Sequence, residues 1–175
     1  MVSLTLANEY TIKSLTRDSL KAIERLNQEC SDYYLLHERE LPSEKKALAI
    51  LNELPPGKHY EDKYSLGVFN DINELIGMID IVRDFPVTGE WMLGLLLIKP
   101  KERNHGLGRK IHDALVRWAI TLGATSFRIG VIEDNDKGKK FWTDLGYMKT
   151  KEAVLKTEQK TNIVNVMNFP IGTPE

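Results

Sequence analysis

Apolar spacing and helix-ending residues predict four helices along the chain. In the first, Leu20, Ile23 and Leu26 fall on one helix face. In the third, an apolar stripe begins at Leu107 and stops before Gly123, a residue type that commonly terminates helices. The predicted helices cover residues 16–30, 42–54, 107–122 and 135–147.

Runs of apolar and β-branched residues predict strands between and after these helices. Residues 64–69 and 75–82 flank a turn rich in Asn and Asp, which indicates a hairpin. Residues 91–98 are apolar at nearly every position, as is typical of a strand covered on both faces at the centre of a sheet. The other predicted strands are residues 10–15, 126–132 and 162–169, and the aromatic and charged stretch 31–42 is predicted as a connection.

This mixture of strands and helices predicts one α/β domain over residues 1–175, with helices packed on a mixed sheet. A chain of 175 residues can bury a substantial core without disulfides, and we find no internal repeat or long linker. The net charge is -1, so no global basic field indicates a nucleic-acid partner. Any attraction for an anion must therefore be local.

Several classes of protein and site fit the sequence poorly. The longest apolar run, Met92–Ile98, is too short to cross a bilayer, so we expect no membrane partner. The amino-terminal segment lacks the basic run and apolar core of a signal peptide, so we expect a cytoplasmic protein. We also expect no metal, because Cys30 is the single cysteine and the histidines lack metal-ligand spacing: His37, His59, His105 and His112.

A basic turn with two glycines follows the predicted strand 91–98. A helix that begins at Gly106 leaves its first amides unpaired, and glycine at 106 and 108 would let an anion approach them. We interpret the turn as a pyrophosphate site; an ordinary solvated loop is the alternative. Dinucleotide and triphosphate loops fit less well, since their complete glycine patterns are absent. The bases that crowd the turn, opposed only by Glu102, are Lys99, Lys101, Arg103, Arg109 and Lys110.

Two motifs of the central segment resemble those of the GNAT superfamily of N-acetyltransferases. "RNHGLG" (Arg103–Gly108) is similar to the family's R/Q-x-x-G-x-G/A loop, and "LLLIKP" before it is similar to the preceding strand end. "NDKGKKFWTDLGY", which starts at Asn135, is similar to the family's second helix motif. The resemblance spans about residues 66–149 and implies the family's fold, a mixed and mostly antiparallel sheet flanked by helices.

The resemblance implies that acetyl-CoA is the cosubstrate. Its pyrophosphate would bind the Arg103–Gly108 loop, and its pantetheine arm would run along the edge of Leu96–Ile98, where a backbone amide could stabilise the oxyanion. Asn135 would bind backbone or the pantetheine; as an alternative it caps a helix. The residues expected to bind the cosubstrate are Leu96, Leu97, Ile98, Arg103, Asn104, His105, Gly106, Leu107, Gly108, Arg109, Asn135, Phe141 and Trp142.

The sequence indicates the catalytic groups less clearly than the residues that bind the cosubstrate. Trp142 stands where the family often has a tyrosine, and an indole N–H is not a useful proton donor, so we expect Trp142 to pack against the coenzyme. Tyr147 is expected in the core. Asp80 and Glu90 are the candidate bases, and we favour Glu90. The alternative for each carboxylate is an ordinary solvated position.

The acceptor is expected to enter opposite the coenzyme, against segments 29–40 and 83–91, which mix aromatic rings with carboxylates. The expected acceptor is a primary amine of a small molecule resembling a polyamine, an amino acid or an antibiotic. A protein N-acetyltransferase and a catalytically weak acyl-CoA sensor are the alternatives. A homodimer is a candidate assembly, since dimers are common in the family. The candidate substrate-binding residues are Glu29, Tyr33, Tyr34 and Phe85.

Overall fold

A computed structural model describes residues 1–6 and 9–172, and within them the chain forms five α-helices and eight strands. The helices are α1 (Leu20–Glu29), α2 (Ser31–Glu38), α3 (Glu44–Asn52), α4 (Leu107–Thr121) and α5 (Asp136–Leu145). The strands are β1 (Ser3–Thr5), β2 (Thr11–Ser14), β3 (Lys63–Phe69), β4 (Leu75–Val82), β5 (Glu90–Ile98), β6 (Ser126–Ile132), β7 (Met148–Lys156) and β8 (Thr161–Pro170).

All eight strands join one sheet in the order β1-β2-β3-β4-β5-β6-β8-β7. Neighbouring strands are antiparallel except β5 and β6, which are parallel. The connection between these two strands is α4, as a parallel pair requires a crossover. The predicted mixed, mostly antiparallel sheet with flanking helices is therefore confirmed.

Helices cover both faces of the sheet. On one face, α4 packs Ile111 and Leu115 into a large core with Trp91 of β5. On the other face, α1 contributes Ile23 and Leu26 to a second core. Strand β4 contributes to both cores, with Ile79 and Ile81 in the first and Met78 in the second. None of the helices in the part of the chain described is long and apolar enough to span a membrane.

Two elements depart from the sequence-based expectation. Residues 31–42, predicted as a connection, contain α2, which buries only Tyr34 and so shows no apolar stripe. Strand β7 was not predicted because all nine of its positions are exposed and no alternation marks it. Helix α1 also starts later than predicted, since a 3₁₀ turn at Arg17–Ser19 precedes it.

The prediction that β5 is covered on both faces holds only in part. The strand is central in the sheet, and Trp91 and Leu93 are buried. Towards its carboxyl end, however, Leu95, Leu96 and Ile98 remain partly exposed. These side chains are apolar because they line an open cleft as well as a core.

Candidate active site

The cleft opens where β5 and β6 separate. The two strands pair only at Glu90, Trp91 and Met92 of β5, although β5 continues to pair with β4 as far as Ile98. The edge of β5 beyond Met92 therefore faces a gap instead of a neighbouring strand. The gap has a volume of about 670 Å³. It leaves an extended backbone edge against which another extended chain can lie.

A β-bulge at Gly94 marks the start of this open edge. Asp80 of β4 pairs with Leu95, and the next residue, Ile81, pairs with Leu93, so Gly94 has no partner in β4. A bulge changes the face of the sheet to which the following side chains point and increases the local twist. Leu93 accordingly packs in the α4 core, while Leu95 packs against the α1 core.

Walls of different chemistry enclose the cleft. Leu96, Ile98 and the α5 residues Phe141 and Trp142 form an apolar wall. The facing wall is α2, which presents a more polar surface. Among the predicted residues, those that line the cleft are Leu96, Leu97, Ile98, Arg103, Asn104, Asn135, Phe141, Trp142 and Tyr33.

The amino terminus of α4 lies just beyond the cleft residues Arg103 and Asn104. Gly106, the N-cap, has φ 79°, and an added Cβ would meet no atom within 4 Å. The Lys110 N–H donates to the Gly106 carbonyl at 3.2 Å, so the amides before Lys110 precede the first helical hydrogen bond. Unpaired amides and the positive end of the helix dipole suit a phosphate group there.

The two glycines of this turn have different roles. Gly106 adopts a left-handed conformation and faces open space. Gly108 instead allows close helix packing, since an added Cβ would lie 2.9 Å from the Phe141 ring. A side chain at Gly108 would therefore displace Phe141, and the role of Gly108 in ligand approach stays a prediction.

The charge around the turn is smaller than its sequence indicates. Lys99 is buried and bonds to Glu74, with Glu29 at 3.7 Å. Arg109 donates to the Asp144 carbonyl at 3.2 Å. The expectation that only Glu102 opposes these bases is thus corrected, because Glu74 and Glu29 approach Lys99; Lys101 and Lys110 are exposed.

Arg103 joins the turn to the α2 wall. Its guanidinium donates to both Asp32 carboxylate oxygens, at 2.6 and 3.2 Å, and its Nε donates to the Ile98 carbonyl at 2.7 Å. The guanidinium lowers the pKa of Asp32. A bidentate pair of this kind fixes geometry as well as charge. Arg103 therefore holds the end of β5 and the start of α2 together.

Asn135 and Trp142 meet the same cleft from α5. The Asn135 side chain caps the helix, since its Oδ1 accepts from the Gly138 N–H at 2.9 Å. The helix-cap alternative is thus observed. Trp142 is half-buried and stands over an aromatic cluster that includes His112 and Tyr147. The remaining members of that cluster are Phe127, Phe141 and Phe169.

Tyr147 lies in the core, as predicted: it is buried and its hydroxyl is 2.8 Å from His112 Nε2. Burial raises the pKa of Tyr147. Burial also lowers the pKa of His112 from its ordinary 6.5 to about 4, with Arg109 adding to the effect and Asp113 opposing it. Both groups are therefore neutral at physiological pH, so the side chains of His112 and Tyr147 that pack against Trp142 carry no charge.

Of the two candidate bases, Asp80 lies beside the cleft. A Cβ added to Gly94 would be 3.7 Å from Asp80 Oδ2. The other oxygen, Oδ1, pairs at 2.7 Å with the Lys63 ammonium, whose side chain is buried. Burial raises the pKa of Asp80, and Lys63 partly opposes this. The second candidate, Glu90, is not among the residues lining the cleft, and its Oε1 accepts from Asn168 at 2.9 Å.

Most candidate acceptor residues also lie outside the cleft lining. Tyr34 is buried in the α1 core, where its hydroxyl donates to Asn27 at 2.6 Å. Glu29 is exposed near Lys99, and Phe85 lies in the turn before β5. Tyr33 alone of this group lines the cleft.

Three cleft residues of α2 were not among the candidate site residues, although they lie in the predicted acceptor segment 29–40: Asp32, Leu36 and His37. Together with Tyr33 they form two pairs four residues apart, the spacing of side chains that share a helix face. This signal becomes visible only when residues 31–38 are taken as a helix. Within residues 1–6 and 9–172, no group of three or more His, Cys, Asp or Glu side chains is arranged to hold a metal ion.

The sequence matches a family model described as "Acetyltransferase (GNAT) family" over residues 21–147. Comparison with curated protein sequences finds no match. Among solved structures, an acetyltransferase from Thermus thermophilus superimposes with a TM-score of 0.72 at 21% identity, covering 95% of this chain and 99% of that one.

Two further solved structures are similar. The ribosomal-protein-S18-alanine N-acetyltransferase of Escherichia coli gives a TM-score of 0.69 at 18% identity, covering 95% of this chain and 96% of that one. The spermidine N-acetyltransferase of Vibrio cholerae, in complex with CoA and spermine, gives 0.71 at 17% identity, covering 93% and 95%. At these identities the likeness establishes the shared fold.

The buried His112 is expected to make stability depend on pH. Because folding lowers its pKa from 6.5 to about 4, the stability gained from the neutral ring is present above pH 6.5 and is lost as the pH falls towards 4. The loss should be about 3 kcal/mol. Chemical unfolding at several pH values should show that His112→Gln lacks this part of the acid slope. Equal slopes in the two proteins would contradict the placement of His112.

Proposed function

Because the chain belongs to the GNAT family of acetyltransferases, we propose that it transfers an acetyl group from acetyl-CoA to a primary amine of a small molecule. The observation that carries the proposal is the open edge of β5 from Leu93 to Ile98, directly followed by a turn and a helix start at Gly106. An amide-bearing chain with a pyrophosphate at one end matches these two features in order.

We propose that the pyrophosphate binds the amides of Gly106–Arg109, with Lys101 and Lys110 adding positive charge. Asn104 and His105 belong to the same proposed site and are exposed beside it. The buried Leu107 anchors this turn in the α4 core. The open space beside Gly106 supports the fit, because a ligand can approach its backbone without displacing a side chain.

We propose that the acetyl transfer takes place at the open edge of β5. Attack of an amine on the thioester creates negative charge on the acetyl oxygen, and an unpaired amide within Leu96–Ile98 is the proposed donor. Trp142 and Phe141 supply apolar contact along the coenzyme arm. Since an indole does not ionise usefully, the departing thiolate takes its proton from water.

We propose Asp80 for the acceptor's ammonium group. Its Oδ2 lies beside the Gly94 bulge, on the face of the sheet opposite α4, while Lys63 fixes Oδ1. A carboxylate held in this way can accept a hydrogen bond from a cationic amine next to the thioester. Glu90 is less suited, because Asn168 occupies its Oε1, whereas Asp80 Oδ2 lies beside the cleft residue Gly94.

The acceptor class is proposed from the aromatic ring of Tyr33, which lines the cleft and suits a cationic amine; the cleft carboxylates Asp32 and Asp134 are already paired with Arg103 and Lys160. The structural neighbours include enzymes named for spermidine and for the alanine of ribosomal protein S18. A polyamine, amino-acid or antibiotic amine is our first proposal. The use of acetyl-CoA, a metabolite made and consumed inside cells, leads us to propose a cytoplasmic location.

An amine panel with acetyl-CoA tests this proposal. Polyamines, amino acids, aminoglycosides and peptides with free amino termini would be compared by release of the coenzyme thiol. We expect release with at least one small-molecule class. Release with peptides alone would replace the small-molecule proposal with a protein N-acetyltransferase. Acetyl-CoA binding without release by any amine would instead indicate an acyl-CoA sensor.

Gly106→Ala should weaken acetyl-CoA binding by about tenfold or more, because the new methyl occupies the approach to the helix amides. Gly57→Ala is a matched control: Gly57 also has φ 79° and also faces open space, so both changes impose the same backbone strain. Calorimetry should show lost affinity only in Gly106→Ala. Equal affinities in both variants would refute the pyrophosphate assignment.

We propose that two copies of the chain pair along β7. This strand is the sheet edge, all nine of its residues are exposed, and an unpaired edge is a template for strand addition. Val154 pairs across the ribbon with Ile163 of β8, and they are 65% and 49% exposed. Pairing with a second copy would cover them and satisfy the edge backbone.

Light scattering of the purified protein should therefore give a dimer mass, and the double change Val154→Lys with Ile163→Lys should give a monomer. Ile72→Lys, an exposed apolar position in the turn between β3 and β4, is the control and should remain dimeric. A monomeric wild-type protein, or a dimer that survives the double change, would exclude this interface.

A further inference from the structure

His37 is a titratable side chain of the cleft that takes no part in the proposed coenzyme site. It lies in the last turn of α2, is half-buried and lines the cleft opposite the apolar wall of α5. Its ring stacks on Tyr33 with centroids 3.9 Å apart and an interplanar angle of 26°. The ring therefore has a fixed place on the α2 wall of the cleft.

A backbone contact determines which ring nitrogen is basic. His37 Nδ1 lies 2.7 Å from the Tyr33 carbonyl oxygen. A carbonyl oxygen only accepts hydrogen bonds, so Nδ1 must carry the hydrogen. In the neutral ring Nε2 then holds the free lone pair. This is the arrangement of a general base whose second nitrogen is oriented by a neighbour.

The backbone of His37 is held by residues far away in the sequence. Asn162 Nδ2 donates to the His37 carbonyl at 2.8 Å, and the buried Lys160 donates to the Leu36 carbonyl at 2.7 Å. Lys160 also pairs with Asp134 at 2.9 Å. The carboxyl end of α2 is thus fixed to the start of β8, which limits the movement of the imidazole.

We propose that His37 Nε2 is the proton acceptor for the attacking amine, an inference that rests on the proposed acetyl transfer. The acceptor's ammonium group first loses one proton to solvent. The neutral nitrogen then gives its lone pair to the acetyl carbon, and the carbon–sulfur bond breaks with its electrons on sulfur. His37 Nε2 takes the proton that nitrogen loses. The thiolate takes a proton from water, and the imidazolium returns its proton to solvent, so the products are an acetamide and a thiol.

The different roles proposed for Asp80 and His37 follow from the groups that each side chain contacts. Asp80 Oδ1 is held by the Lys63 ammonium, which partly opposes the rise that burial causes in the Asp80 pKa, and Oδ2 remains beside Gly94 for the acceptor. His37 is uncharged at neutral pH because burial, together with the nearby Lys160, lowers its pKa, against the opposite effects of the Tyr33 carbonyl and Glu38. The charged groups around the ring are Lys160 and Asp134 beyond α2, and Glu38 within it.

The test compares the wild type with His37→Gln and with His37→Asn, the second variant guarding against misfolding of the first. The ratio of wild-type to variant kcat/KM would be measured between about pH 5 and 8, with the acceptor found in the amine panel. Because protonation of the acceptor affects the wild type and the variant equally, it cancels in the ratio. His59→Gln, an exposed histidine before the Tyr60–Asp62 turn, is the control.

We expect the ratio to be about a hundredfold or more at neutral pH and to fall as the pH drops below about 6.5. Acetyl-CoA affinity should not change in either variant, and His59→Gln should behave as the wild type. Wild-type rates in both His37 variants, or a ratio independent of pH, would overturn the assignment while acetyl transfer stood. A wild-type protein that releases no thiol with any amine would overturn both.

Discussion

The candidate site depends on one constraint: β5 cannot pair along its whole length with both β4 and β6. It pairs with β4 along nearly its whole length but with β6 at only Glu90, Trp91 and Met92. The bulge at Gly94 comes immediately afterwards and changes the direction in which the later residues face. The resulting gap turns the backbone of a central strand into an accessible edge. Without that divergence the sheet would be continuous and the cleft would be closed.

Contacts between distant parts of the chain keep the gap at a defined width. Arg103, at the end of β5, ties Asp32 at the start of α2 to the Ile98 carbonyl. Lys160 and Asn162, at the start of β8, bind carbonyls at the other end of α2. Since α2 is fixed at both ends, the wall opposite α5 is preorganised. Bases that appear available for a ligand in the sequence are therefore partly committed to structure.

The elements that could be predicted from the sequence are those that bury an apolar stripe, together with the turn in which glycines are required for steric reasons. Helix α4, the β3–β4 hairpin and the Arg103–Gly108 turn belong to this group. Helix α2 was missed because it buries one residue, and β7 because it buries none. The partners of Lys99 and Arg103 could not be predicted, since Glu74 and Asp32 approach them only through the tertiary fold. His37 was not singled out because its place in the cleft depends on residues 31–38 forming a helix.

The central claim is that acetyl-CoA lies along the open edge of β5 with its pyrophosphate on the start of α4. Amide hydrogen exchange, with and without CoA, measures this at each segment. The account predicts slower exchange on CoA binding in Leu95–Ile98 and Gly106–Arg109, with no change in β7. Protection confined to the separate cavity beside Arg17, Tyr60 and Lys63, with β5 and α4 unchanged, would contradict it.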